Sequence, residues 1–131
     1  MRYFTMNGYL WKVRFVAPND PMLVDRTGTL TVATTDYSTL TIYISNAIRG
    51  RFLNRVLIHE LGHCALFSFN LLDDIHRVVD PSRWVDAEEW ICNLIADYGM
   101  FIYSSAQEIL GDGALVVVSK RIEHSLLSEV N

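Results

Sequence analysis

Apolar and polar residues alternate in three stretches of the N-terminal part of the chain. In the first stretch, Tyr9–Val16, Trp11 falls on one face of an extended chain and Lys12 on the other. The second and third stretches, residues 29–34 and 40–45, also alternate and are rich in β-branched side chains. This period of two is typical of half-buried strands. We therefore predict a small antiparallel sheet of about three strands, with residues 35–39 as a hairpin connection.

Beyond residue 50 the apolar positions recur every three or four residues, which is typical of helices. We expect one helix over residues 51–69 and a second over residues 84–103, separated by a connector that ends at Pro81. The second helix has a bulky apolar side and a small side, so we expect both sides to be buried. Beyond Gly113 the pattern assigns no element to the C-terminal tail. The bulky side comprises Trp90, Ile91, Leu94, Ile95, Tyr98, Phe101 and Ile102, and the small side Cys92, Ala96 and Gly99.

Length and composition limit the class of protein. A chain of 131 residues fits a single α+β domain over residues 1–131, and half of its residues are apolar while a fifth are charged, as in ordinary globular proteins. The net charge of -4 argues against nucleic acid as the main partner. We see neither a secretory signal nor an apolar run of membrane-spanning length, so we expect a cytoplasmic protein without a membrane partner. Cys64 and Cys92 are then expected to be reduced, packed thiols.

The candidate chemistry lies in the first helix, where two histidines and a glutamate interrupt an apolar stretch. His59 and His63 are four residues apart, so a helix places both imidazoles on one face, where they can bind one Zn²⁺. Glu60 beside them is the residue type that acts as general base in zinc peptidases with the His-Glu-x-x-His motif. The alternative is an ordinary buried helix with two hydrogen-bonded histidines.

A catalytic zinc site usually takes a third protein ligand. The scheme that adds a third histidine shortly after the motif is excluded, because residues 65–69 contain none. Helical geometry favours Glu89 if the small side of the second helix meets the first, but it does not exclude Glu88. The candidates are His76, Asp86, Glu88, Glu89 and Asp97.

Taken together, the β-rich start, the His-Glu-x-x-His helix and the second helix resemble the ImmA/IrrE family of metallopeptidases over residues 29–103. That family follows its first motif with Glu-x-x-Ala-Asn-x-Phe-Ala, which Glu89, Asn93 and Ala96 match here. Cys92 stands at the small position and Ile95 at the aromatic one. The resemblance implies a minimal zincin-like fold of the gluzincin type, with His59, His63 and Glu89 as zinc ligands and Glu60 as base.

The resemblance also implies a function. Members of the family are common among phage and prophage proteins and cleave a repressor encoded nearby, so we expect a zinc metalloendopeptidase that hydrolyses a peptide bond in a protein, such as a phage or mobile-element repressor. The alternative is a catalytically weak or inactive zinc-binding module for protein interaction. Asn93 is a candidate for orienting a ligand, and His76 for stabilising an oxyanion. We expect an extended substrate to pair with the free edge of the N-terminal sheet, for which the strand at residues 40–45 is the candidate.

Overall fold

The computed structural model describes residues 1–115, and over this range the protein is α+β, as expected. One sheet precedes three helices, and short 3-10 turns at Pro21–Leu23, Pro81–Arg83 and Gly111–Leu115 complete the elements. The C-terminal tail, to which the sequence pattern assigns no element, lies mostly outside the described residues. The strands are β1 (Arg2–Met6), β2 (Tyr9–Val16), β3 (Ala33–Asp36) and β4 (Thr41–Ser45), and the helices are α1 (Gly50–Ser68), α2 (Leu72–Val78) and α3 (Trp84–Leu110).

The sheet is mixed and has four strands in the order β1-β2-β4-β3. β1 pairs with β2 and β3 pairs with β4 in antiparallel fashion, but β2 and β4 run parallel, with Val13 opposite Ile42. The prediction of about three strands, all antiparallel, was therefore wrong in number and in direction. β4 lies inside the sheet, which explains why all five of its residues are buried. The prediction that a substrate pairs with the edge of this strand was wrong for the same reason.

β1 is the strand that the sequence analysis did not predict. It forms a hairpin with β2 through Asn7 and Gly8, both of which have positive φ, 48° and 84°. An Asn-Gly pair with positive φ at both positions forms the tight turn that suits the twist of a two-stranded ribbon. This pair was the signal that would have revealed β1.

β3 begins later than the alternation predicted. The backbone of residues 29–31 is bound to the 3-10 turn and its neighbour: the Asp25 amide donates to the Thr29 carbonyl and the Thr31 amide to the Leu23 carbonyl, each at 2.9 Å. These bonds close a loop around Gly28, whose φ is 84°. Pairing with β4 therefore covers Ala33–Asp36 and includes Thr35 and Asp36, which the alternation places in the hairpin connection.

The main core lies between one face of the sheet and α1. It joins Trp11, Ile42 and Ile44 of the sheet to Val56 and Cys64 of α1. Burial of large apolar side chains is the dominant stabilising contribution, about 1.5–3 kcal/mol for each. The helix that carries the candidate motif is therefore docked on the sheet along its length.

A buried hydrogen bond also ties α1 to the sheet. The indole Nε1 of Trp11 donates to Ser68 Oγ at 2.9 Å. Trp11 is fully buried, so its indole N–H needs a protein partner, and the last residue of α1 supplies it.

The chain divides into two compact units, Met1–Asp97 and the segment from Tyr98 onward, and the expected single domain over residues 1–131 stays a prediction. α1 and α3 begin within one residue of the predicted positions, and the expected connector contains α2. Within the first unit, Cys92 on the small side of α3 is fully buried, whereas Trp90 on the bulky side is 66% exposed. The expectation that both sides of this helix are buried was therefore wrong for the bulky side.

Candidate metal centre

Two turns of α1 present His59 and His63 on the same helix face. Their Nε2 atoms are 3.3 Å apart, and both side chains are largely shielded from solvent. The spacing of four residues produces this arrangement, as the sequence predicted. The histidines differ in their environment, because the Nδ1 atom of His59 is buried without a hydrogen-bond partner in the described part of the chain.

The close approach of α3 to α1 brings a carboxylate to the two histidines. A Cβ atom placed on Gly62 would lie 3.1 Å from Cys92 Sγ and 3.4 Å from Cys92 Cα. Small residues on both helices thus let their backbones approach at this point. Glu89, which lies one turn before Cys92, reaches the histidine pair as a result, whereas Glu88 contacts His76 and Arg26.

His59, His63 and Glu89 offer three ligand atoms within 4.8 Å of one another. The carboxylate oxygens of Glu89 lie 3.0 Å from His59 Nε2 and 3.1 Å from His63 Nε2. Two imidazoles and a carboxylate are a ligand set that zinc takes in catalytic sites, with one position left for water. The convergence of three such donors in one place fits a bound divalent cation.

The electrostatics of this cluster favour the charged forms of Glu89 and His59. Hydrogen bonds from His59 and His63 hold the pKa of the Glu89 carboxyl far below its usual range. Burial opposes protonation of His59, but the hydrogen bond to Glu89 and the charge of Glu60 outweigh it and raise the His59 pKa. A carboxylate that stays ionised is ready to bind a metal ion, whereas protons on the histidines compete with it.

Glu60 lies beside this cluster but is held by different contacts. Its side chain is buried, and Oε2 accepts a hydrogen bond from the hydroxyl of Thr35 on β3. Burial raises the pKa of the Glu60 carboxyl above its ordinary value, and the Thr35 hydrogen bond opposes this effect. A carboxylate with a raised pKa in a cleft is suited to accept a proton near neutral pH.

Tyr37 is a site residue that the sequence analysis missed. Its hydroxyl lies 3.3 Å from Nδ1 of His63, and its ring stacks on Phe67 at a centroid distance of 5.1 Å. Histidines that bind metals through one nitrogen usually have a hydrogen-bond partner on the other, which fixes the ring orientation. Burial is the main cause that raises the pKa of Tyr37, so its hydroxyl stays protonated. No motif marks this residue, because it lies just after β3 and reaches α1 only through the fold.

Glu88 and His76, two of the candidates for the third ligand, pair with each other. His76 Nε2 lies 3.6 Å from Glu88 Oε1, and the imidazole stacks on Trp84 at a centroid distance of 3.9 Å. Glu88 is 3% exposed and also accepts a hydrogen bond from Arg26. The structure therefore pairs His76 with Glu88, and His76 is not one of the three clustered ligand residues. Its role as an oxyanion stabiliser stays a prediction.

The remaining candidates for the third ligand, Asp86 and Asp97, lie on α3 on either side of Glu89. Asp97 forms a bidentate ion pair with Arg55 of α1, in which Arg55 Nε lies 2.6 Å from Asp97 Oδ1 and Arg55 Nη2 lies 3.2 Å from Asp97 Oδ2. The same guanidinium donates to Asn93 Oδ1 at 3.3 Å. Asn93, one turn beyond Glu89, thus has its side-chain carbonyl engaged by Arg55, and its role in orienting a ligand stays a prediction. Asp86, in the first turn of α3, is outside the three-residue cluster.

An open cavity of about 680 Å³ exposes the candidate metal ligands and Glu60 to a ligand. Its lining includes all three clustered residues and Glu60, and β3 forms one wall. The size lies within the usual range for sites that bind small molecules or short peptide segments.

Comparison of the chain with models of known protein families gave no match, and comparison with curated proteins gave none either. The resemblance to the ImmA/IrrE family therefore stays a prediction from two motifs. Among the helices of residues 1–115, none combines the length and the apolar character that a membrane crossing requires.

Proposed function

We propose that this protein is a zinc-dependent endopeptidase with a minimal zincin-like site of the gluzincin type. The observation that carries the proposal is the convergence of His59, His63 and Glu89, with ligand atoms within 4.8 Å, beside the buried Glu60. His59, His63 and Glu89 would hold the metal, and Glu60 would act as general base.

In the proposed mechanism, the residues around the cavity have separate roles in the hydrolysis of a peptide bond. A bound Zn²⁺ supplies Lewis acidity, which activates water and polarises a carbonyl at neutral pH. Glu60 accepts a proton from the attacking water and delivers that proton to the amine nitrogen as the C–N bond breaks, so that the nitrogen leaves as a neutral amine. Thr35 holds the carboxylate in place, and Tyr37 orients His63.

The substrate would bind as an extended segment along β3. Among the described strands β3 pairs with β4 alone, so its outer edge has no strand partner. Its residues also line the cavity that contains Glu60 and the clustered ligands. Addition of a strand to a free sheet edge is a common mode of peptide recognition, with the main chain providing affinity and side-chain pockets providing specificity.

The biological substrate we infer is a protein, and the ImmA/IrrE resemblance suggests a phage or mobile-element repressor cleaved in the cytoplasm. The Glu89 and Asn93 pattern on α3 supports this assignment of family. Coexpression with the proteins encoded by neighbouring genes, followed by mass spectrometry of new termini, identifies the substrate.

The test of the function compares the native chain with Glu60→Gln. Glutamine has nearly the same size and can still accept the Thr35 hydrogen bond, but it cannot accept a proton from water. We expect the variant to bind one zinc ion per chain as the native protein does, and to cleave the identified substrate about 10²- to 10⁴-fold more slowly.

Two results would contradict the proposal. Native-rate cleavage by Glu60→Gln would remove Glu60 from the mechanism. Equal zinc binding by both proteins, with no cleavage by the native chain of any protein encoded nearby, would favour the alternative of a zinc-binding interaction module.

A further inference from the structure

We propose that Arg26 is a catalytic residue of the same site, where its guanidinium stabilises the anionic oxygen that forms when water adds to the scissile carbonyl. The inference rests on the proposed peptidase function and adds a residue that no motif marks. Arg26 lines the cavity together with Glu60 and Glu89, and its Nη2 lies 3.8 Å from Glu89 Oε1. The side chain remains 45% exposed, so a ligand in the cavity can reach it.

A buried carboxylate holds Arg26 at this place. Glu88 Oε2 accepts a hydrogen bond from Arg26 Nη2, and Glu88 is only 3% exposed. A charge-assisted hydrogen bond to a buried partner restricts a long side chain far more than a surface ion pair does. The two neighbouring glutamates therefore have different tasks: Glu89 faces the histidines and Glu88 anchors the arginine.

The loop that carries Arg26 is also rigid. The Asp25 carboxylate accepts hydrogen bonds from the amides of Thr27 and Thr29, at 2.9 and 3.0 Å, and from the Thr27 hydroxyl at 2.6 Å. The Gly28 amide donates to the Asp25 carbonyl at 3.0 Å. The hydrogen bond to the Thr27 hydroxyl is the largest cause that lowers the pKa of Asp25, so this carboxylate stays ionised at neutral pH. The backbone at Arg26 is thus fixed on both sides.

A fixed cation at the cavity wall supplies a charged donor next to the proposed metal ligands. Hydrolysis of an amide passes through a tetrahedral species with a negative oxygen, and preorganised donors aimed at that oxygen are a large source of rate enhancement. His76, the expected stabiliser, is paired with Glu88, and Arg55 already donates three hydrogen bonds, two to Asp97 and one to Asn93. Arginine has five N–H donors, so one bond to Glu88 leaves others for the substrate.

The test uses the zinc-loaded full chain and two inhibitors built on one peptide, and it needs no known substrate. The first is a phosphonamidate, which carries a tetrahedral anionic group, and the second is a mercaptoacetyl peptide, whose thiolate needs no such donor. Affinity is measured by calorimetry and zinc content by mass spectrometry. We expect Arg26→Gln to weaken phosphonamidate binding by about 10²- to 10³-fold, the scale of losing one oxyanion donor. Thiol binding and zinc content should not change.

Three further variants separate this role from a structural one. Arg26→Gln leaves the buried Glu88 with His76 alone, so the double variant with Glu88→Gln removes the unpaired charge, and it should show the same selective loss. Arg26→Lys should recover part of the affinity, because it keeps the charge but not the planar fork. Arg14→Gln is the matched control, because Arg14 of β2 lies over the ring of Tyr43 of β4 and does not line the cavity. This variant should behave as the native protein does.

The outcomes distinguish this inference from the proposed function. Equal weakening of both inhibitors, or of neither, in Arg26→Gln and in the double variant would overturn the role of Arg26. Native chain that binds zinc but neither inhibitor would overturn it too. Native chain that binds no zinc at all would instead overturn the proposed function.

Discussion

Replacement of Tyr37 by phenylalanine tests whether the tyrosine positions a zinc ligand. The change removes one hydroxyl and keeps the ring, which can still stack on Phe67. When His63 binds zinc through Nε2, its Nδ1 carries a proton, and Tyr37 Oη at 3.3 Å is the recorded partner for that proton. In the variant this N–H is buried without a partner whenever zinc is bound.

The expected loss follows from this geometry. Removal of such an outer partner typically lowers metal affinity by about 10- to 100-fold. The 3.3 Å separation is slightly longer than the usual hydrogen-bond range, so we expect a loss near the lower end, about tenfold, which corresponds to about 1.4 kcal/mol. Competition with a chromophoric chelator measures the zinc dissociation constant of both proteins.

Tyr43→Phe is the matched control, because Tyr43 is a buried tyrosine that packs with Val16 and Leu23 in a separate cluster. It should keep native zinc affinity. Unchanged zinc affinity in Tyr37→Phe, with the control also unchanged, would refute the positioning role of the hydroxyl.

Other properties of the site and of the fold give three further predictions. Gly62→Val should push α3 away from α1 at Cys92 and weaken zinc binding. The same chelator competition measures the zinc affinity, and native affinity in a folded variant would contradict this prediction. Because the His59 pKa is raised, zinc must displace its proton, so apparent affinity should fall as pH decreases through that pKa. Calorimetry in buffers of different ionisation enthalpy should show more proton release at pH 7 for the native chain than for His59→Ala, and equal release would contradict it. Ser68→Ala should leave the Trp11 indole N–H unpaired and lower the free energy of unfolding by about 1–3 kcal/mol in urea titrations, and no loss would contradict it.

The local sequence predicted the elements of the site better than the sheet that supports them. The spacing of His59 and His63 depends only on helical geometry, so both the helix and the shared face could be predicted. The order of the strands depends on contacts between distant residues, such as Val13 with Ile42. Alternation indicates that a strand exists but does not say which strand lies beside it or in which direction.

The choice between Glu88 and Glu89 shows the same limit. Both residues lie at the start of α3, and the periodicity of one helix does not determine its rotation against another. The contact between Gly62 and Cys92 sets that rotation and directs Glu89 to the histidines. The sequence did not reveal Arg26 and Tyr37 as site residues. Arg26 lies in a loop and Tyr37 directly follows β3, so both reach the site only through tertiary contacts.

The proposed function requires that His59, His63 and Glu89 bind one zinc ion together. The most direct measurement is X-ray diffraction from zinc-loaded crystals, with anomalous data recorded on both sides of the zinc absorption edge. We expect one strong peak per chain, about 2.0–2.2 Å from both Nε2 atoms and from a Glu89 oxygen. A peak at other residues, or none here at saturating zinc, would contradict it.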